Sequence, residues 1–227
     1  MDIYSFILQN KEPIKLIYAL VIIFVCSLIV IKADKLFKLS EHSGIRYFRN
    51  AFFFYGLGFA FRYLFSLPIT RLGLYDSYGF LTEIFFEFFL VMGGFFLLYS
   101  LIWTKLENPK TKSSLLNGSI SIFYAMSIIV VLLDFLWAGF NFMFLTQTLL
   151  FLVLSILSYS NYRRNGSKRK FPKFYFLAML LGLFAWVLNT LASFYFSWNQ
   201  AIMVNVYAFN LIFFFLFLYG VIKVTRV

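Results

Sequence analysis

Seven apolar stretches, each long enough to cross a lipid bilayer, occupy most of this chain. They run over 13–32, 47–68, 80–103, 118–139, 141–161, 174–196 and 201–222. A helix rises ~1.5 Å per residue, so roughly 20 apolar residues cross the ~30 Å hydrocarbon core. In lipid, every backbone N–H and C=O must be bonded within the protein, which a helix achieves inside one segment. The pattern predicts an all-α fold. It is that of a polytopic membrane protein with a single seven-helix transmembrane domain over residues 1–227. Composition points the same way. Of the 227 residues, 62% are hydrophobic and 13% charged, against roughly 25% charged in an ordinary globular domain. A water-soluble fold has no use for that much apolar surface.

The cationic residues set the expected orientation. The first linker holds Lys32, Lys35, Lys38 and Arg46, and the third holds Lys105, Lys110 and Lys112. The fifth holds Arg163, Arg164, Lys168, Arg169, Lys170 and Lys173, and Lys223 and Arg226 follow the last stretch. The alternate linkers are nearly bare, with Arg71 and Asp76 in the second. Lys and Arg are retained on the cytoplasmic side of a membrane. This places the N-terminus outside and the C-terminus in the cytoplasm, in an integral protein of the cell (plasma) membrane. Trp103, Trp137 and Trp198 fall near stretch ends, as an interfacial belt requires. The first stretch comes after Asp2, Lys11 and Glu12 rather than a basic region, so it is expected to be a retained helix and not a cleaved signal.

The formal charge of +11 does not point to nucleic acid, because it is spread through short linkers and forms no single basic face. The cluster Arg163, Arg164, Lys168, Arg169, Lys170 and Lys173 instead suits anionic lipid headgroups at the cytoplasmic face, or a cytoplasmic or membrane protein partner.

Four ionisable side chains fall inside the stretches: Arg62, Glu83, Glu87 and Asp134. A charge at a helix centre costs about 2.5–3.5 kcal/mol on insertion scales, so each is a functional candidate. All four lie in the outer half. Glu83 and Glu87 are four residues apart and share one helix face. They repel when both are ionised, and Arg62 is placed to neutralise one of them. The acidic surplus implies a held proton, a bound cation or water. Gln147, Asn189, Asn205 and Asn210 fall at a similar level or slightly deeper, where Trp186 and Tyr207 can wall a pocket. The inner half is plainer. A polar pocket in the outer half is therefore expected. The stripe Ala178, Gly182, Ala185 and Asn189 reads as a helix-packing face that ends in a polar group.

Catalysis finds little support. His42 is the single histidine and Cys26 the single cysteine, too few for a zinc site of nitrogen and sulfur ligands. No glycine-rich phosphate loop is present. No catalytic residue, bound metal or cofactor is expected.

The layout resembles the seven-helix receptors and the microbial opsins: outer N-terminus, inner C-terminus, short linkers and an outward pocket. The resemblance covers the whole chain as topology. It implies a receptor-like or sensor protein for a small polar or cationic ligand. The chain departs from the opsins in the last stretch, which holds Asn205 and Asn210 but no lysine before Lys223, so retinal attachment is not expected. It also lacks the Asp-Arg-Tyr and Asn-Pro-x-x-Tyr motifs of eukaryotic receptors. The same residues allow two further readings. One is a small proton-coupled transporter or channel using the intramembrane carboxylates. The other is a membrane scaffold subunit.

Overall fold

A computed structural model describes residues 11–65, 75–106, 118–137, 139–164, 170–195 and 200–225. For residues 11–12, 75–78, 104–106, 118–119, 170–172, 200–206 and 224–225 it describes the backbone only. Arg71, Lys110, Lys112, Lys168, Arg169, Trp198 and Arg226 lie outside the described residues.

Among the described residues there are seven helices and no strand. They are α1 (Lys11–Ser40), α2 (Ser43–Phe59, continued by a π-helical turn Ala60–Phe65) and α3 (Tyr75–Leu106). Then come α4 (Gly118–Trp137), α5 (Asn141–Arg164), α6 (Lys170–Phe194) and α7 (Gln200–Thr225). Five carry segments long and apolar enough to cross a membrane: Pro13–Ser40, Gly79–Trp103, Ile120–Trp137, Asn141–Arg164 and Lys173–Phe194. The described apolar part of α7, Tyr207–Lys223, is shorter.

Several helices outrun their apolar stretches. The expected 13–32 extends to Ser40, and the expected 47–68 begins at Ser43. The extensions are amphipathic and bonded. Asp34 pairs with Lys38 one turn on, at 2.9 Å, and with Arg49 of α2. Arg49 thus ties α2 to α1. The chain reverses at Glu41, whose φ of 50° is left-handed and whose N–H bonds to the Phe37 carbonyl at 2.8 Å.

The helices close into a ring. α1 packs on α2, α2 on α3, α3 on α5, α5 on α6, α6 on α7, and α7 returns to α1. α4 lies outside this ring, packed on α3 and α5. Its outer face exposes Ile122, Met126, Ile129, Leu132 and Leu136, as a lipid-facing helix does.

Two glycines permit close approaches between helices. A Cβ on Gly94 would lie 2.8 Å from Gln147 Oε1, and one on Gly182 would lie 2.5 Å from the Phe151 ring. Small residues let helices pack without any hydrophobic drive from lipid. Ala178, Gly182, Ala185 and Asn189 are all buried, forming the packing face of α6.

Most of the described basic groups gather at one end of the bundle, while Lys15 and Arg62 stand in the other half. Trp103 near the end of α3 meets the His42 ring edge-on at 5.1 Å. Ser100 on α3 reaches the Tyr175 hydroxyl of α6 at 3.5 Å. Lys223 of α7 lies 4.5 Å from the Phe174 ring of α6, and Tyr162 near the end of α5 stacks on Phe176. Lys38, Arg46, Arg163, Arg164, Lys173 and Lys223 therefore share an end.

Candidate functional site

At the other half of the bundle, the six ring helices line a cavity of about 260 Å³. α1 contributes Tyr18, α2 and its π turn contribute Tyr55, Phe59, Arg62 and Tyr63, and α3 contributes Phe86 and Leu90. Phe140, Met143 and Phe144 enter from α5 and the residue preceding it. α6 adds Gly182, Ala185, Trp186 and Asn189, and α7 adds Tyr207, Asn210, Phe213 and Phe214.

Arg62 stands within the π turn. A π turn accommodates one more residue per hydrogen-bonded ring than an α turn, and so changes the direction in which its side chains point. The guanidinium carbon lies 4.4 Å from the Phe86 ring centre, 5.0 Å from Phe140 and 6.0 Å from Tyr63. Aromatic faces attract a cation in this way. Among the described residues, no carboxylate forms an ion pair with Arg62. The sequence suggested Arg62 as a partner for Glu87; the structure turns its guanidinium into the aromatic cavity, from where it acts on Glu87 through charge, without a salt bridge.

A polar chain runs along one wall. Asn189 donates to the Ala185 carbonyl at 2.8 Å and to Asn210 Oδ1 at 3.5 Å. Asn210 in turn donates to the Tyr18 hydroxyl at 3.2 Å, and Tyr18 stacks on Tyr207 with centroids 4.3 Å apart. The Tyr55 hydroxyl is buried in the cavity lining with no hydrogen-bond partner among the described residues. A buried polar atom without a partner calls for an explanation.

The three carboxylates are elsewhere. Glu83, Glu87 and Asp134 line a pocket of about 260 Å³ between α3 and α4, on the far side of Phe140, which lines both spaces. Asp134 is held by backbone. Its two oxygens accept N–H groups of Phe142 at 2.8 Å and Met143 at 2.7 Å, in the first turn of α5. Glu87 is 6% exposed, and its Oε2 has no partner among the described residues.

The remaining sequence candidates do not all reach one place. Trp186, Asn189, Tyr207 and Asn210 line the central cavity together. Gln147 does not. It is fully buried between helices and donates to the Leu90 carbonyl at 2.7 Å, against Gly94. The side chain of Asn205 lies outside the described residues. Arg163 and Arg164 close α5 as exposed residues, and Lys173 is exposed near the start of α6. Lys170 begins α6, with only its backbone described. Sequence reasoning passed over Tyr18, Tyr55 and Tyr63, because a tyrosine in an apolar run reads as a lipid-facing ring. Their hydroxyls, at the depth of Arg62 and Asn210, were the available signal.

No protein-family model matches the chain. It is 28% identical over 192 residues to a protein of Archaeoglobus fulgidus described only as uncharacterized, an alignment covering 79% of each chain. No solved structure matches it. The likeness spans most of the bundle and carries no activity with it.

Proposed function

We propose that the chain is a seven-pass receptor-like or sensor protein of the cell membrane, N-terminus outside, whose central cavity holds a small amphipathic ligand with an anionic or strongly polar head. The observation that carries this reading is Arg62: a cation among aromatic rings, lining the cavity, with no carboxylate in salt-bridge contact among the described residues. In a medium of low polarity such a charge favours an opposite charge. The tyrosine and phenylalanine rings suit an apolar or aromatic body, and Tyr55 has a hydroxyl to give. The sign of the ligand is then the reverse of the cationic one expected from the carboxylates.

The cavity's other wall favours holding over passage. Toward the basic end it meets Tyr55, Phe213 and Phe214, packed ring against ring, where a transporter needs a polar path to the second face. The exposed Arg163, Arg164 and Lys173 suit anionic headgroups of the cytoplasmic leaflet.

The test is ligand-induced thermal stabilisation of the protein in nanodiscs, comparing decanoate with decanol. Wild type is expected to be stabilised by decanoate, and Arg62→Gln to need at least tenfold more of it. Equal responses of the two proteins would refute the assignment of Arg62.

A further inference from the structure

The cleft between α3 and α4 has what a cationic amphiphile requires, and it is separate from the central cavity. Glu83 and Glu87 are one helical turn apart on α3, ~6 Å along the axis. Asp134 faces them from α4, and all three line the same pocket. No Lys or Arg is found among the described residues lining it. Arg62 does not line the cleft; it lies against Phe140 in the central cavity and acts on Glu87 through charge from there.

Glu87 is the informative member. It is more than nine-tenths buried and lines this pocket, yet Oε2 has no hydrogen-bond partner among the described residues. A buried carboxyl oxygen without a hydrogen-bond partner calls for one. Asp134, by contrast, already has two backbone donors. It contributes charge to the pocket while its position is fixed.

The pocket continues into an apolar groove. Phe80, Ile84, Val131 and Phe135 line both it and a neighbouring groove of about 400 Å³, which adds Phe88 and Ile128. Phe80, Ile128 and Phe135 are exposed on the outer surface of the bundle, so the groove is open to lipid.

We propose that this cleft binds a single-chain amphiphile with a primary ammonium head, the head among Glu83, Glu87 and Asp134 and the chain along the groove. An ammonium offers three N–H donors and one positive charge. It stays charged at neutral pH, since an alkylamine ionises near ~10.4 as lysine does. The occupant is a free amine and not a phospholipid. A headgroup phosphate would bring negative charge against three carboxylates with no Lys or Arg among the described residues lining the cleft to receive it.

The probe is octadecylamine carrying a nitroxide near its chain end, added to the full chain in phosphatidylcholine nanodiscs and read by electron spin resonance. A motionally restricted component is expected in wild type. It should weaken at least tenfold in Glu87→Gln and also in Ile84→Trp, which narrows the groove while leaving all three carboxylates in the chain. Circular dichroism confirms that each variant folds, and Ile84→Trp decides the matter should Glu87→Gln not fold. Spin-labelled stearate should show no restriction that depends on Glu87. Restriction of the amine that persists in both variants overturns the proposal. So does a spin-labelled phosphatidylethanolamine restricted with the same dependence on Glu87, which would make the occupant a membrane phospholipid.

Discussion

The Met143 N–H donates to an Asp134 oxygen at 2.7 Å, so the last turn of α4 closes the first turn of α5. The other oxygen takes the Phe142 N–H at 2.8 Å. The first N–H groups of any helix lack internal partners, and a carboxylate there both accepts hydrogen bonds and complements the positive end of the helix dipole. Here the capping residue comes from the preceding helix rather than from the position next to Asn141. That makes Asp134 a tie between the outlying α4 and the start of α5, beside the packing of α4 on α3 and α5.

Replacing Asp134 should accordingly cost stability. Hydrogen bonds to a charged group contribute roughly 1.5–3 kcal/mol, and caps about 0.5–2 kcal/mol. Asp134→Ala is expected to destabilise the protein by about 2 kcal/mol, and Asp134→Asn, which keeps one accepting oxygen, by about half of that. Unfolding in mixed micelles gives the ordering. Hydrogen exchange locates the effect, with the Phe142 and Met143 amides losing protection before others on α5. Unchanged exchange at these two amides in Asp134→Ala would remove the capping role.

The reversal between α1 and α2 offers a gain instead. Glu41 adopts a left-handed φ of 50°, a conformation that costs a residue with a Cβ about 1–2 kcal/mol and glycine almost nothing. Glycine loses about 0.5–1 kcal/mol through the freedom it has in the unfolded chain. Glu41→Gly is thus expected to stabilise by about 0.5–1 kcal/mol, while Glu41→Ala gives no gain. The same unfolding titration distinguishes the two. Equal stability of the glycine and alanine variants would mean the backbone there is not left-handed.

Depth in the bundle was legible from the sequence, and rotation about each helix axis was not. Apolar runs and linker charges located all seven helices, and Trp186, Asn189, Tyr207 and Asn210 at similar depths do meet in one cavity. Arg62, Glu87 and Asp134 are also at similar depths, yet they divide between two spaces. Phe86 and Glu87 explain why. They are adjacent in sequence and so ~100° apart around α3, which aims Phe86 at the central cavity and Glu87 at the α4 cleft. A soluble amphipathic helix declares its inner face by polarity. A helix apolar on all sides, such as α3 or α4, does not. The cavity's tyrosines were hidden for the same reason, and the exclusion of α4 from the ring depends on contacts that no linker length announces.

The shared basic end of the bundle makes the orientation testable with the native thiol out of the way. Cys26 is buried, so a membrane-impermeant maleimide reports only an added cysteine. His42 is exposed at the basic end, while Tyr195 is exposed just beyond α6 at the opposite end. Lys and Arg are held back on the cytoplasmic side during insertion. His42→Cys is therefore expected to react only once the cell is opened, and Tyr195→Cys to react in intact cells. The two residues lie at opposite ends, so the pair cannot both be labelled from one side while the helices span. Labelling in the reverse sense would invert the protein and put the central cavity, with Arg62, on the cytoplasmic half. Labelling of both from outside would mean that the helices between them do not cross the membrane.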